Sequence, residues 1–104
     1  MLDAAFAALA EPRRRAILRE LGGGELTAGA IASRFSVTRP AISQHLAILR
    51  SAGLVEERRD GTRRWYRTNR DGLVPMRDWI GAFWDDRLDA LRTAVDAANE
   101  ETSR

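Results

Sequence analysis
Six arginines, Arg58, Arg59, Arg63, Arg64, Arg67 and Arg70, fall within thirteen residues that hold a single acid, Asp60. A guanidinium group is a planar fork of donors that matches phosphate oxygens and the paired acceptors of a guanine edge. Such a run taken alone is most simply a solvated face. Its meaning comes from the segment before it, where Ala41, Ile42, Leu46 and Leu49 form one helical stripe and leave Arg39, Pro40, Ser43, Gln44 and Ala47 on the other side. On that outer side Arg39 can pair with guanine, Gln44 with adenine, and Ser43 with a base or a phosphate. Thr38 stands where a helix would begin, so the N–H groups beside it can face a phosphate. The chemistry implied is recognition of double-stranded nucleic acid by Thr38, Arg39, Pro40, Ser43, Gln44, His45 and Arg50 from a helix, and by Arg58, Arg59, Arg63 and Arg64 from a ribbon.

Other chemistries are poorly supplied. The chain has no cysteine, which removes disulfides, thiol redox sensing and thiolate metal sites. His45 is the only histidine, so one chain cannot assemble a histidine cluster for a metal. Its place beside Gln44 suggests a DNA phosphate contact or a partly buried packing role. No acid or base stands near a nucleophile in a recognisable pattern, so an enzyme is not expected and no cofactor is implied. Gly22-Gly23-Gly24 lacks the Lys-Ser/Thr of a phosphate loop and reads as a turn.

The elements that must position these residues follow from periodicity. Residues 2–10 predict a short helix with Leu2, Phe6 and Leu9 on one face, and 12–21 a second helix opened by Pro12, burying Ile17, Leu18 and Leu21. Thr27 can cap a third helix over 28–35, burying Ile31 and Phe35. Ser36 and Val37 make the turn, and Thr38 caps a fourth helix to about residue 52, with Pro40 in its first turn. Gly53 stops it. Strands over 54–59 and 63–68 flank Asp60-Gly61-Thr62, a hairpin signal, with Trp65 or Tyr66 packing the ribbon onto the helices. Residues 71–99 predict one long helix whose apolar positions step by three and four from Leu73 to Ala98. Trp79, Ile80, Phe83, Trp84, Leu88, Leu91 and Val95 exceed what one small domain must cover, so they are expected, with Leu2, Phe6 and Leu9, at a homodimer interface.

Charge is divided along the chain. Through residue 70, thirteen arginines oppose seven acids; from 71 on, four oppose eight. All seventeen basic residues are arginine, most simply a mark of GC-rich coding. A basic front half with an acidic tail implies an anionic partner for the front. No apolar run approaches the roughly 18 residues of a membrane span, and the first fifteen residues place arginines after the apolar run rather than before it, unlike a secretory signal. A cytoplasmic location is expected, with no membrane partner.

The segments ALAEPRRRAILREL, ELTAGAIASRF and SVTRPAISQHLAILRSAGLVEERRDGTRRWYR together resemble the ArsR family of winged-helix repressors, over essentially the whole chain. The tail Phe83-Trp84-Asp85-Asp86-Arg87-Leu88 resembles the subgroup often encoded beside START-like ligand-binding proteins. The resemblance implies a mainly α fold with a small β-hairpin, a winged helix-turn-helix, dimeric through its N- and C-terminal helices. It implies repression at an inverted-repeat operator and release by an inducer, a small molecule that no residue here identifies. Many members sense metals through cysteines where this chain has Thr27 and Gly29, and others use His and carboxylates on the last helix, which here has Asp78, Asp85, Asp86 and Asp89 but no His. Arsenic, cadmium and zinc sensing are therefore not expected. The organisation expected is a single domain over 1–104, with 11–68 as the DNA-binding core and 1–10 and 71–99 as dimerisation helices. The alternative use of such a fold is a protein-interaction module, against which the arginines on both helix and ribbon count.

Overall fold
The computed structural model describes residues 2–102, with side chains through residue 100. Five helices and three strands run in the order α1 (Leu2–Leu9), α2 (Pro12–Leu21), β1 (Leu26–Thr27), α3 (Ala28–Ser33), α4 (Arg39–Ser51), β2 (Val55–Asp60), β3 (Arg63–Thr68) and α5 (Arg70–Thr102).

Local signals account for most boundaries. Glu11 caps α2 by accepting from the Arg14 N–H at 3.0 Å, and Pro12 follows at the first helical position, where its missing N–H leaves no bond unmade. Thr27 Oγ1 caps α3 by accepting from Ala30 N–H at 3.1 Å, and Thr38 Oγ1 caps α4 by accepting from Ala41 N–H at 3.3 Å. Helix α3 ends at Ser33, two residues short of the expected 35, because Arg34 and Phe35 close it with N–H bonds to the carbonyls of Ile31 and Ala32. Phe35 is half-buried beneath the Arg13 guanidinium, 5.4 Å from the ring centre.

Ile17, Ile31, Ile42, Leu46, Leu49 and Leu54 are fully buried and join α2, α3, α4 and the ribbon into one core. The first helix meets that core through Ala5 and Ala8, not through the larger residues of its predicted face. Leu2, Phe6 and Leu9 are half-buried at its margin. Small side chains let α1 lie close to its neighbours while keeping the larger ones partly open.

The sheet has order β1-β3-β2, all antiparallel. Leu26 pairs with Tyr66 and Thr27 with Trp65, a strand too short to register as alternation in the sequence. The expected hairpin is thus two strands of a three-stranded sheet, and β1 ties the ribbon to the start of α3. Gly61 turns the hairpin at φ 64°, which a side chain rarely adopts. Tyr66 is the aromatic that packs inward; Trp65 lies half-buried on the other face under Arg58, 5.9 Å from the ring centre.

Helix α5 begins against the turn after α4. Asn69 Nδ2 donates to the Gly53 carbonyl at 2.9 Å, and Asn69 N–H donates to the Leu54 carbonyl at 2.9 Å. Gly72 lies so close that a Cβ there would sit 1.7 Å from the Gly53 oxygen. The helix runs through Pro75 without a break in its span; Met76 is its last buried residue, and beyond it the helix leaves the core. The radius of gyration is 19.7 Å, where a compact chain of this length would have about 13 Å. The excess is the free length of α5, which carries the molecule to a 72 Å long axis.

Candidate nucleic-acid interface
Helix α4 turns Ile42, Leu46 and Leu49 into the core and leaves Arg39, Pro40, Ser43, Gln44 and Ala47 exposed. The division follows from the 3.6-residue period acting on a sequence whose apolar residues keep to one side. The start of α4, the start of α3 and the ribbon tip enclose an open cleft of about 610 Å³, lined by Gly29, Arg39, Ser43, Thr62, Arg63 and Arg64 among others. Gly29 lies against Arg39, where a Cβ would be in ordinary contact, 3.9 Å from the guanidinium carbon. Of the expected residues, Arg39 and Ser43 of the helix and Arg63 and Arg64 of the ribbon therefore line one cleft, although more than twenty residues separate Arg39 from Arg63.

The arginines divide into two sets. Arg50 lies 2.7 Å from Glu57, and Arg64 3.6 Å from the same carboxylate. Arg58 donates to Glu25 at 3.0 Å and Arg67 to Glu56 at 2.9 Å. Among the described residues, Arg39, Arg59 and Arg63 make no ion pair. Counting acids only between Arg58 and Arg70 hid three partners, Glu25, Glu56 and Glu57, which the sheet brings to the same place. Glu56-Glu57 beside the arginine run was the signal available; Glu25 becomes visible only once β1 pairs with β3.

His45 is half-buried, turned toward the start of α2. Its Nδ1 is 3.5 Å from Arg14 Nη1 and 3.9 Å from Glu11 Oε2, contacts that pack it against the start of α2. Arg14 is held there by donating from Nε to the Ala8 carbonyl at 2.6 Å. Desolvation pulls the Glu11 carboxyl upward, but the N–H groups of Arg13 and Arg14 and the nearby charges of His45 and Arg14 outweigh it, and Glu11 stays below the usual carboxylate range. Sequence reasoning missed Glu11 and Arg14 as the residues that seat α4 on α2.

The far end of the molecule shows a different surface. Trp79, Ile80, Phe83, Trp84, Leu88, Leu91 and Val95 are all exposed along α5 in the single chain. Phe6 reaches this stripe, with its ring edge-on to Trp79 at 5.4 Å. Among the described residues no three His, Cys, Asp or Glu side chains gather as a metal site. No helix among them is long and apolar enough to cross a membrane.

This arrangement of helices, ribbon and protruding helix has relatives. The helix-turn-helix domain family matches residues 9–58. The HTH-type transcriptional regulator Rv2034 of Mycobacterium tuberculosis is 40% identical over 100 residues, spanning 96% of this chain and 94% of that protein. The transcriptional repressor SdpR of Bacillus subtilis is 40% identical over 75 residues, 72% of this chain and 83% of that one. An ArsR-like transcriptional regulator from Rhodococcus superposes with a TM-score of 0.69 at 39% identity, covering 88% of this chain and 90% of that one. The chain belongs to the ArsR-type winged helix-turn-helix regulators. A further structure, the homodimeric winged helix-turn-helix DNA-binding domain Mb0332 of Mycobacterium bovis, described as a possible ArsR-family regulator, matches with a TM-score of 0.66 at 35% identity over 83% of this chain and 80% of that one. In this regulator the second helix of the helix-turn-helix is α4 and the wing is β2–β3.

Proposed function
We propose that this ArsR-type regulator is a transcriptional repressor that binds double-stranded DNA as a homodimer, reading an inverted-repeat operator with α4 in the major groove of each half-site. Arg39 and Gln44 address base edges, Ser43 a base or phosphate, and Thr38 and Pro40 bring the helix start to the backbone. Arg59 and Arg63 at the wing tip follow the phosphates, with Arg50, Arg58 and Arg64 near them. The observation that carries this reading is the cleft shared by α4 and the wing, where Arg39 and Ser43 of α4 lie with Arg63 of the wing, an arginine with no ion pair among the described residues.

The dimer forms through the apolar stripe of α5 and the half-buried Leu2, Phe6 and Leu9 of α1. An exposed row of two tryptophans, a phenylalanine and four aliphatics is far more than an isolated chain keeps in water. Two-fold pairing through it would present two copies of α4 to a palindromic site. The protein acts in the cytoplasm and performs no catalysis. The Phe83–Leu88 tail and the lack of cysteine support membership of the subgroup resembling regulators encoded beside START-like proteins, with release by a small-molecule inducer rather than a thiophilic metal.

The test is fluorescence anisotropy on labelled DNA from the gene's own upstream region, against a scrambled duplex, over a salt series. Strong preference for the native fragment, with log K falling at roughly 0.9 per neutralised phosphate, is the expected result. Weak and equal binding to both would favour use of the winged helix on a protein partner.

A further inference from the structure
We infer that Glu57 is a positioning residue of the DNA interface, holding Arg50 of α4 and Arg64 of the wing so that the angle between them is set before DNA arrives. The inference deepens the DNA-binding reading above and rests on it. Glu57 stands on β2 opposite Tyr66, on the same side of the ribbon as Val55, Arg59 and Arg64. Its side chain is 12% exposed, whereas those of Arg50 and Arg64 are 49% and 54% exposed. One carboxylate oxygen lies 2.7 Å from Arg50 and the other 3.6 Å from Arg64, so this one wing carboxylate ties α4 to both strands of the ribbon, and among the described residues no other ion pair joins α4 to it.

Burial separates this group from the other wing pairs. Glu25 and Glu56, the partners of Arg58 and Arg67, are 33% and 43% exposed, and such surface pairs yield readily to a phosphate. A carboxylate removed from water cannot release its cations without standing alone in a poorly solvated place. Its Oε2 is buried and accepts no hydrogen bond of good geometry, which makes the charge contact with Arg50 its main compensation. Arg50 and Arg64 are thus held by one shared carboxylate, which offsets one of their two charges within the protein. Phosphate neutralisation falls instead to Arg39, Arg59 and Arg63, and the Glu57 bridge acts as the brace that keeps the wing from swinging relative to α4.

The experiment measures salt dependence of binding to the native fragment and to the scrambled duplex for the wild type, Arg39→Ala, Arg63→Ala, Arg64→Ala and Glu57→Gln, with thermal melts to confirm folding. Arg63→Ala is expected to flatten the slope of log K against log salt by about 0.9, and Arg64→Ala by far less. Glu57→Gln, which removes the single negative charge that the two guanidiniums share, is expected to steepen the slope by up to about 0.9 while reducing the preference for the native fragment. A brace that merely stabilised the fold would lower the melting temperature and leave the slope alone. Arg64→Ala flattening the slope as much as Arg63→Ala would overturn the inference even if Glu57→Gln failed to fold, as would a folded Glu57→Gln with wild-type slope and preference. If Arg39→Ala and Arg63→Ala both leave binding unchanged, the interface itself has been placed wrongly.

Discussion

The junction between α4 and α5 makes a demanding prediction at Gly72. Replacing Gly72 with alanine adds a methyl whose carbon would sit 1.7 Å from the Gly53 oxygen and 2.6 Å from its carbonyl carbon. Both are backbone atoms, so no side-chain rotation can relieve the clash. Restoring ordinary contact requires the start of α5 to retreat by more than 1 Å, on the order of the difference between that spacing and van der Waals separation. Two hydrogen bonds cross the same gap, Asn69 to Gly53 and Asn69 to Leu54, both 2.9 Å. Losing them costs about 1 kcal/mol each, and overpacking a close contact costs about 1–3 kcal/mol. Gly72→Ala should therefore lose about 3–5 kcal/mol, less a few tenths recovered from alanine's better helix propensity. For a chain of this size each kcal/mol lowers Tm by roughly 4–8 °C, so a fall beyond about 12 °C is expected. The assay is thermal or urea unfolding at one fixed protein concentration, because an associating protein melts in a concentration-dependent way. A loss below about 1 kcal/mol would refute the reasoning, since it would mean that α5 can stand off from Gly53 at almost no cost.

Other perturbations probe the interface and its supports. Phe83→Glu places a charge in the middle of the α5 stripe and is expected to yield monomers in sedimentation; an intact dimer would move the contact elsewhere. Gln44→Ala should weaken operator binding by about 1–3 kcal/mol and relax one base position, measured on a panel of single-base operator variants; equal loss on every duplex would contradict base reading. Thr38→Ala removes the cap of α4 and should lower stability by about 1 kcal/mol in urea unfolding, with no loss meaning that the cap bond is not made in solution. The Glu11 carboxyl titrates lower in the folded chain than in the unfolded one, so its contribution is complete above the unfolded pKa of about 4.3 and is lost as pH falls through the lower folded value. Melts of the wild type and Glu11→Gln across that range should differ at neutral pH and converge in acid; a constant gap would remove the charge argument.

Much of the architecture was legible because it rests on local rules. Pro12, Thr27, Thr38 and Gly53 mark ends of helices through backbone bonding confined to a few residues. The stripe of Ile42, Leu46 and Leu49 is periodic, so the outer face carrying Arg39, Ser43 and Gln44 could be read by subtraction. The length of α5 and its apolar row likewise follow from spacing alone. What failed to show was anything requiring two distant segments at once. A two-residue strand at Leu26–Thr27 has no period to detect and exists only because Tyr66 and Trp65 arrive beside it. His45 lies on α4 close to the outward stripe in sequence, yet its side chain is claimed by Arg14 and Glu11 of α2.

Composition and spacing determined the order of the five helices and the hairpin, the polar outer face of α4, and a basic half joined to an acidic, apolar-striped tail. Tertiary structure decided which of the arginines remain free. Charge read along the chain treats every arginine of the ribbon alike, but a salt bridge depends on three-dimensional distance and on how far water is excluded. Folding brings Glu25, Glu56 and Glu57 within 4 Å of ribbon arginines and leaves Arg39, Arg59 and Arg63 open. The distinction between a charge committed to the fold and one available to DNA is therefore a property of packing, which no linear count contains.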